Sequence, residues 1–521
     1  MTQVVNIHSR NFILPVCCLL LACGCSSDRG SGTNAESMAG TAAPTAGVMA
    51  QSPMAGTMAA GTMAPRPQPA VSPPVTVSGP VTSGMGKPFA FAVVDLGANG
   101  YSEKEYFFEG DATAYALQGQ MAMNGKWALA ETTKQHFKSR MLVRRPIDGA
   151  KFNGTVLVEW FNVTGGADAD PGFIYNSTEL IREGYAWVGV SAQAQGVVGG
   201  GFAFPIAGLV PLLQYDPERY GSLSHPGDAY SFDIYTRAAQ IVRGAGNMDV
   251  LEGLKPKRLI AYGESQSAGR MVSYVDGVQP LTNMFDGFFI HSRGSSGVAF
   301  GAEVTLGPGL SGAPTLIRDD ISVPVFQFQT ETDVVGSLGF LSARQPDTDK
   351  LRTWEVAGTS HIDAYSLSLD TTGLSTSLGC TNANDGPQHY VVRAALHALE
   401  RWIREGTAPV KGEPLMAKGD GSPLTDERGN TLGGVRTPDV DVPTAILSGL
   451  PASSGGASLI CFLFGHTEPF TPQTLMQLYP SHDDYVSKVK DAARATREAN
   501  FILVPEEQEM VAKAEAAPVP N

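Results

Sequence analysis

Basic residues are scarce in this sequence. Lys and Arg total 37 against 51 Asp and Glu in 521 residues, a formal net charge of −14. There is no basic stripe and no interleaving of basic with aromatic residues, so the phosphate-neutralising surface that nucleic acid requires is missing. Nucleic acid is excluded as a partner. Long hydrophobic runs are lacking too: the apolar stretch from Phe12 to Ala22 is too short for an ordinary bilayer-spanning helix. Cysteine is nearly absent from the body of the chain. Of six, Cys17, Cys18, Cys23 and Cys25 crowd the N-terminus, leaving Cys380 and Cys461. No C-x-x-C pair occurs, and nothing else suggests a metal or an organic cofactor. The isolated pair reads either as a disulfide formed in an oxidising compartment or as two separate buried thiols.

What is present begins with a targeting pattern. Arg10 closes a weakly basic start, and the apolar run that follows has signal-peptide length. It ends in Leu20-Leu21-Ala22-Cys23, which resembles a bacterial lipobox, where a cysteine after a small residue is lipidated and becomes the mature N-terminus. Cys23 fits that pattern best, with Cys25 as the fallback and simple cleavage as the alternative. Residues 1–25 are thus expected to direct export. Residues 26–85 are built of Ala, Gly, Met, Thr, Ser and Pro, without the β-branched and aromatic residues a core needs, and read as a flexible tether. The chain is expected to touch a membrane only through this N-terminal lipid anchor, on the cell-envelope side of export. Its composition leaves the oligomeric state open.

The remainder, residues 86–521, is 43% hydrophobic and 17% charged when counted with the whole chain, ample for a large core. Strand and helix signals alternate through it. Phe89–Leu96, Lys138–Arg145, Gly154–Trp160, Tyr185–Ser191, Arg258–Tyr262, Asp286–His291, Val323–Thr330 and Thr353–Val356 have strand character. Tyr230–Arg243 reads as a helix. So does Gln388–Glu405, whose Val391, Val392, Ala395, Leu399, Trp402 and Ile403 keep to one face before Gly406. The alternation predicts an α/β fold: a mostly parallel sheet flanked by helices, with ligands bound at the carboxyl ends of the strands. The C-terminal part is expected to form an extension of this domain.

The chemistry is expected at Gly263-Glu264-Ser265-Gln266-Ser267, between an apolar strand and a helix-like run. That is the setting of a nucleophile elbow, whose sharp turn exposes the serine hydroxyl. The positions two before and two after must be small, because strand and helix backbones nearly touch. Gly263 complies, and Ser267 stands where such a motif usually has glycine. Partners follow in the order acid, then histidine. Asp333 and Glu331 both follow the strand Val323–Thr330, and Asp333 is preferred because it lies one turn beyond it. His361 sits on the loop after Thr353–Val356. A histidine there can take the serine's proton, while a buried carboxylate holds the imidazole in the right tautomer. His225, in a His-Pro-Gly-Asp turn, and His291, before the acid strand, are the competitors, and His466 lies in a late segment with no matching strand. An oxyanion hole would use the backbone N–H of Gln266 and that of Phe161 or Asn162, after the Gly154–Trp160 strand.

Arg-Met-Leu-Val-Arg-Arg-Pro, Val-Glu-Trp-Phe-Asn-Val, His-Pro-Gly-Asp, Gly-Glu-Ser-Gln-Ser, Thr-Glu-Thr-Asp-Val and Glu-Val-Ala-Gly-Thr-Ser-His together resemble the bacterial alpha/beta hydrolase domain-containing proteins. The likeness runs through Gly433–Pro438 and Cys461–Gly465, nearly everything after the tether. It implies the α/β-hydrolase fold and a serine hydrolase with Ser265, Asp333 and His361 at matching positions. The expected activity is cleavage of a small-molecule carboxylic ester. The alternatives are a non-catalytic, surface-tethered binding protein on an inherited fold, or an acyltransferase or depolymerase using the same triad. Gly196–Leu223 and Val298–Ile321 are insertions expected to act either as lids or as plain surface loops.

Overall fold

Short apolar segments such as Thr155–Trp160 and Arg258–Glu264 bury every residue but Arg258, as strands covered on both faces must. The computed structural model describes residues 75–200, 208–301, 313–336, 338–369, 382–452 and 459–520. The signal and lipidation positions, Cys23 and Cys25 included, lie outside them. In chain order the strands are β1 (Thr76–Ser78), β2 (Tyr101–Leu117), β3 (Leu129–Pro146), β4 (Thr155–Trp160), β5 (Ala186–Val190), β6 (Arg258–Glu264), β7 (Gly287–His291), β8 (Val325–Thr330) and β9 (Leu351–Val356). They form one nine-stranded sheet ordered β1-β2-β3-β5-β4-β6-β7-β8-β9. From β5 to β9 every neighbouring pair is parallel, and β1, β2 and β3 add an antiparallel edge.

Alternate side chains feed two cores. Val156, Val158, Leu259 and Ala261 face the helices Ser231–Val242 and Gln266–Ser273, through residues such as Tyr235, Ala238, Met271 and Val272. Leu157, Ile260, Tyr262 and Phe326 face the helices Pro171–Arg182 and Gln388–Glu405. The second of these helices has the boundaries its pattern predicts, closed by Gly406 at φ +76°, whose N–H caps the Trp402 carbonyl. The chain runs from β4 outward to β5, then returns to place β6 on the other side of β4. The carboxyl ends of β4 and β6 therefore flank the sheet's topological switch point, where such sheets bind ligands.

Several expectations need correction. Phe89–Leu96 is not a strand. Its backbone is tied to side chains instead: Tyr220 Oη accepts from Phe89 N–H, while Arg140 and Arg144 donate to the carbonyls of Phe89 and Ala90. Ala90 adopts φ +58°, which no ladder accommodates. The same arginines bind Glu105, Asp168, Glu103 and Asp170, locking this segment and the 162–170 loop onto β3. The long strand β2 adds to the expected strands; it pairs with β3 along its length, and Tyr106, Phe108, Ala112 and Ala114 enter the first core. The fold also starts earlier than expected: within the stretch read as tether, Val75 and Val77 are buried and β1 pairs with β2. His466 does begin a strand, His466–Pro469, paired with Ala445–Ser448 in a separate small sheet.

The C-terminal extension ends in the helices His482–Glu498 and Val504–Ala516, packed on each other through Val486, Val489 and Ala514. Glu506, buried at the start of the last helix, accepts from Arg182 and pairs with Arg393, fastening the extension to the main helical layer. Cys461 is disulfide-bonded. Cys380, its expected partner, lies outside the described residues.

Candidate active site

At the end of β6 the chain turns through Ser265 at φ 58° and ψ −116°, a conformation costly for a residue with a side chain. The turn is held on all sides. Ser265 N–H donates to the His291 carbonyl at 2.9 Å, and the helix Gln266–Ser273 begins at once. A Cβ on Gly263 would lie 2.5 Å from the Ser267 carbonyl oxygen, so strand and helix do nearly touch. Ser267 has its own task. Its hydroxyl accepts from Glu264 N–H at 3.0 Å and donates to the Glu264 carbonyl at 2.8 Å, stapling the elbow where glycine could not.

The loop after β9 brings His361 over this turn. His361 Nε2 lies 2.7 Å from Ser265 Oγ, and Nδ1 lies 2.7 Å from Asp333 Oδ1. Asp333 stands in the short helix Glu331–Val335. Its other oxygen accepts from Thr330 N–H at 2.7 Å in a capping box, so the carboxylate is clamped from both sides. Thr332 Oγ accepts from His361 N–H and donates to the Gly449 carbonyl, which fixes the histidine loop. Burial pulls the imidazole of His361 toward its neutral form. Asp333, and after it Glu264, outweigh burial and raise its pKa above the usual value.

Glu331 and Asp333 face different ways. The Glu331 carboxylate accepts from Gly358 N–H at 2.6 Å and Gly449 N–H at 2.9 Å, joining two loops away from the imidazole. Burial pushes Glu331 up to about 7, against those donors. It is a buried tie, and Asp333 alone of the two touches His361.

His225 and His291 are occupied elsewhere. His225 bonds the Ala192 carbonyl and Gly227 N–H. His291 is clamped in the core between Tyr262 Oη and Gln388 Nε2, and burial lowers its pKa well below the usual value.

The expected oxyanion donors need partial correction. Phe161 N–H already donates to the Val190 carbonyl and Asn162 N–H to the Ala169 carbonyl, because the β4 end stays paired with β5 and the 162–169 loop folds back on itself. Neither amide is free to serve. Gln266 N–H, at the first helical position, makes no hydrogen bond among the described contacts, as the open N-terminus of a helix allows. Asn162 enters the site by its side chain, donating to both the carbonyl and the carboxylate of Glu264 at 3.0 Å.

Ser265 and His361 open into a cavity of about 120 Å³, several times the space one water needs. Its wall is mostly apolar, with Ile174, Leu209, Ile362, Leu367, Ile460 and Leu463, and Asn162, Asp168 and Glu264 also reach it. Of the two expected lids, Gly196–Leu223 contributes Leu209, while the described part of Val298–Ile321 contributes nothing to the lining. Residues 201–207 and 302–312 lie outside the described residues. Ile460 and Leu463 come from a segment beside the disulfide-bonded Cys461, which the sequence reading did not connect with the site.

The family described as Alpha/beta hydrolase domain matches residues 77–512. No curated protein matches the chain. Among solved structures, a candidate dienelactone hydrolase from Klebsiella pneumoniae is 11% identical, covering 48% of this chain and 85% of its own, with a TM-score of 0.23. An α/β serine hydrolase without a lid from Xanthomonas campestris is 12% identical, covering 47% of this chain and 83% of its own, with a TM-score of 0.24.

Proposed function

The chain belongs to the alpha/beta hydrolase domain family, and on that premise we propose that it is an exported serine hydrolase of carboxylic esters. The observation that carries this reading is the unbroken hydrogen-bond chain from Ser265 Oγ through His361 to Asp333 at the base of an apolar cavity.

In this reading Ser265 Oγ attacks the ester carbonyl carbon while His361 Nε2 takes its proton. General-base help of this kind is worth about 10²- to 10⁴-fold. Asp333 holds the Nδ1–H tautomer and stabilises the imidazolium. The carbonyl oxygen becomes an alkoxide and accepts from Gln266 N–H, a contact worth about 10²- to 10³-fold. Collapse expels the alcohol, which leaves with the proton from His361, and an acyl ester remains on Ser265. Water then attacks that ester, again giving its proton to His361, and collapse frees the carboxylic acid and restores the serine.

The apolar wall suits an ester whose acyl or alcohol part is hydrophobic. Export with a lipid on Cys23, followed by a tether, fits the N-terminal pattern, and a disulfide-bonded Cys461 suits an oxidising compartment. A panel of p-nitrophenyl esters of rising chain length tests the reading. Hydrolysis by the wild type that disappears in Ser265→Ala is expected. Equal rates for the two proteins would reject it.

A further inference from the structure

We infer that Glu264 is a second carboxylate partner of His361, positioned to hold the imidazolium that forms when Ser265 gives up its proton. The inference rests on the serine-hydrolase reading above. Glu264 Oε1 lies 3.4 Å from His361 Nε2, the nitrogen that also faces Ser265 Oγ at 2.7 Å. At that distance it is an ion-pair partner of the protonated ring rather than a competitor for the resting hydrogen bond.

The carboxylate is held there. Asn162 Nδ2 donates at once to the Glu264 carbonyl and to Oε2, and Asn162 Oδ1 accepts from Thr164 N–H at 2.8 Å, so neither side chain is free to swing. Glu264 is only 5% exposed and lines the cavity beside Ser265. Water screens the pair poorly in such a place. The groups around the two are Asp333 on Nδ1, the largely neutral His291, and the Tyr175 and Tyr262 hydroxyls near Glu264. The imidazole thus lies between two carboxylates, one on each nitrogen.

During attack the Ser265 O–H bond breaks and the Nε2–H bond forms. Glu264 Oε1 then faces the new N–H and steadies the cation until Nε2 returns the proton to the leaving alkoxide. Glu264 keeps no proton from the cycle and acts through His361, as a positioning residue. Its ionisation also tunes the base. Burial pushes Glu264 up to about 7, with Asp333 adding and with His361 and the Asn162 amide opposing. Its charge, once present, makes His361 hold its proton to higher pH.

The test is an NMR titration of His361 in the resting full chain carrying ¹³Cε1-labelled histidine, wild type against Glu264→Gln. Glutamine keeps the size and an oxygen for the Asn162 amide. The His361 midpoint is expected to fall by about one pH unit, the lower end for removing an opposite charge at this range. The acid limb of kcat/KM should move down with it, and the plateau should fall by about tenfold, one decade of barrier. An unchanged midpoint in a folded variant would overturn the inference, whatever its Tm, since a merely structural role moves Tm and not the midpoint. Should Glu264→Gln not fold, Glu264→Asp, one methylene shorter and so withdrawn from Nε2, should lower the midpoint in the same direction. An unchanged midpoint in that variant would overturn the inference equally. Because the titration needs no turnover, a protein that cleaved no ester would reject the hydrolase reading separately.

Discussion

Replacing Asp333 with Asn changes a single atom, and the structure dictates which way the new amide must face. One oxygen of Asp333 accepts from Thr330 N–H at 2.7 Å, and the other lies 2.7 Å from His361 Nδ1. Asparagine has only one oxygen. If it stays with Thr330, the NH2 points at Nδ1, which must then offer its lone pair, so the ring proton moves to Nε2. Nε2 can no longer accept from Ser265. The opposite flip sets two donors, the NH2 and Thr330 N–H, against each other in a fully buried site, at about 1–3 kcal/mol for the unpaired group. The wrong tautomer is the cheaper outcome, and the carboxylate's stabilisation of the imidazolium is lost with it. We expect kcat/KM for a p-nitrophenyl ester to fall by about 10³- to 10⁴-fold, or about 4–5.5 kcal/mol of barrier. Tm should change little. A loss smaller than tenfold in a folded variant would refute the orientation argument.

Glu331→Ala should separate folding from chemistry. It leaves Gly358 N–H and Gly449 N–H buried without their acceptor, which at about 1–3 kcal/mol each predicts a loss near 3 kcal/mol in denaturant unfolding. The rate per folded molecule should drop far less than in Asp333→Asn, and a larger drop would put Glu331 in the chemistry. The pH profile has a definite sign. The base works only when neutral, and Asp333 raises the His361 pKa despite burial, so kcat/KM should climb with pH through a midpoint above the usual 6.5. An acid limb centred below that value would contradict the arrangement.

What could be read from the sequence was what depends on neighbours along the chain. The helix Gln388–Glu405 carries its own periodicity and its own glycine stop. The elbow at Ser265 announces itself by the strand, the small Gly263 and the helix around it, and Asp333 and His361 by their places after β8 and β9. The two acids could not be separated beforehand with any force, because the difference lies in what each meets: Thr330 and His361 for one, Gly358 and Gly449 for the other. Hidden features depend on distant partners. Phe89–Leu96 has the composition of a strand, yet its hydrogen bonds go to Arg140, Arg144 and Tyr220. The Phe161 and Asn162 amides look available until β5 and Ala169 take them. The apolar wall from Ile460 and Leu463 reaches the site from far along the chain, and Glu264 carries no mark of its role except its place beside the serine.

The central claim is that Ser265 is a nucleophile made reactive by His361. A fluorophosphonate probe tests it most directly, since only an activated serine attacks the phosphorus and keeps the adduct. Peptide mapping by mass spectrometry of the labelled full-length protein should find the adduct on Ser265 in the wild type, and no adduct in Ser265→Ala. A wild type that stays unlabelled, or an adduct on another residue that persists in Ser265→Ala, would contradict the account.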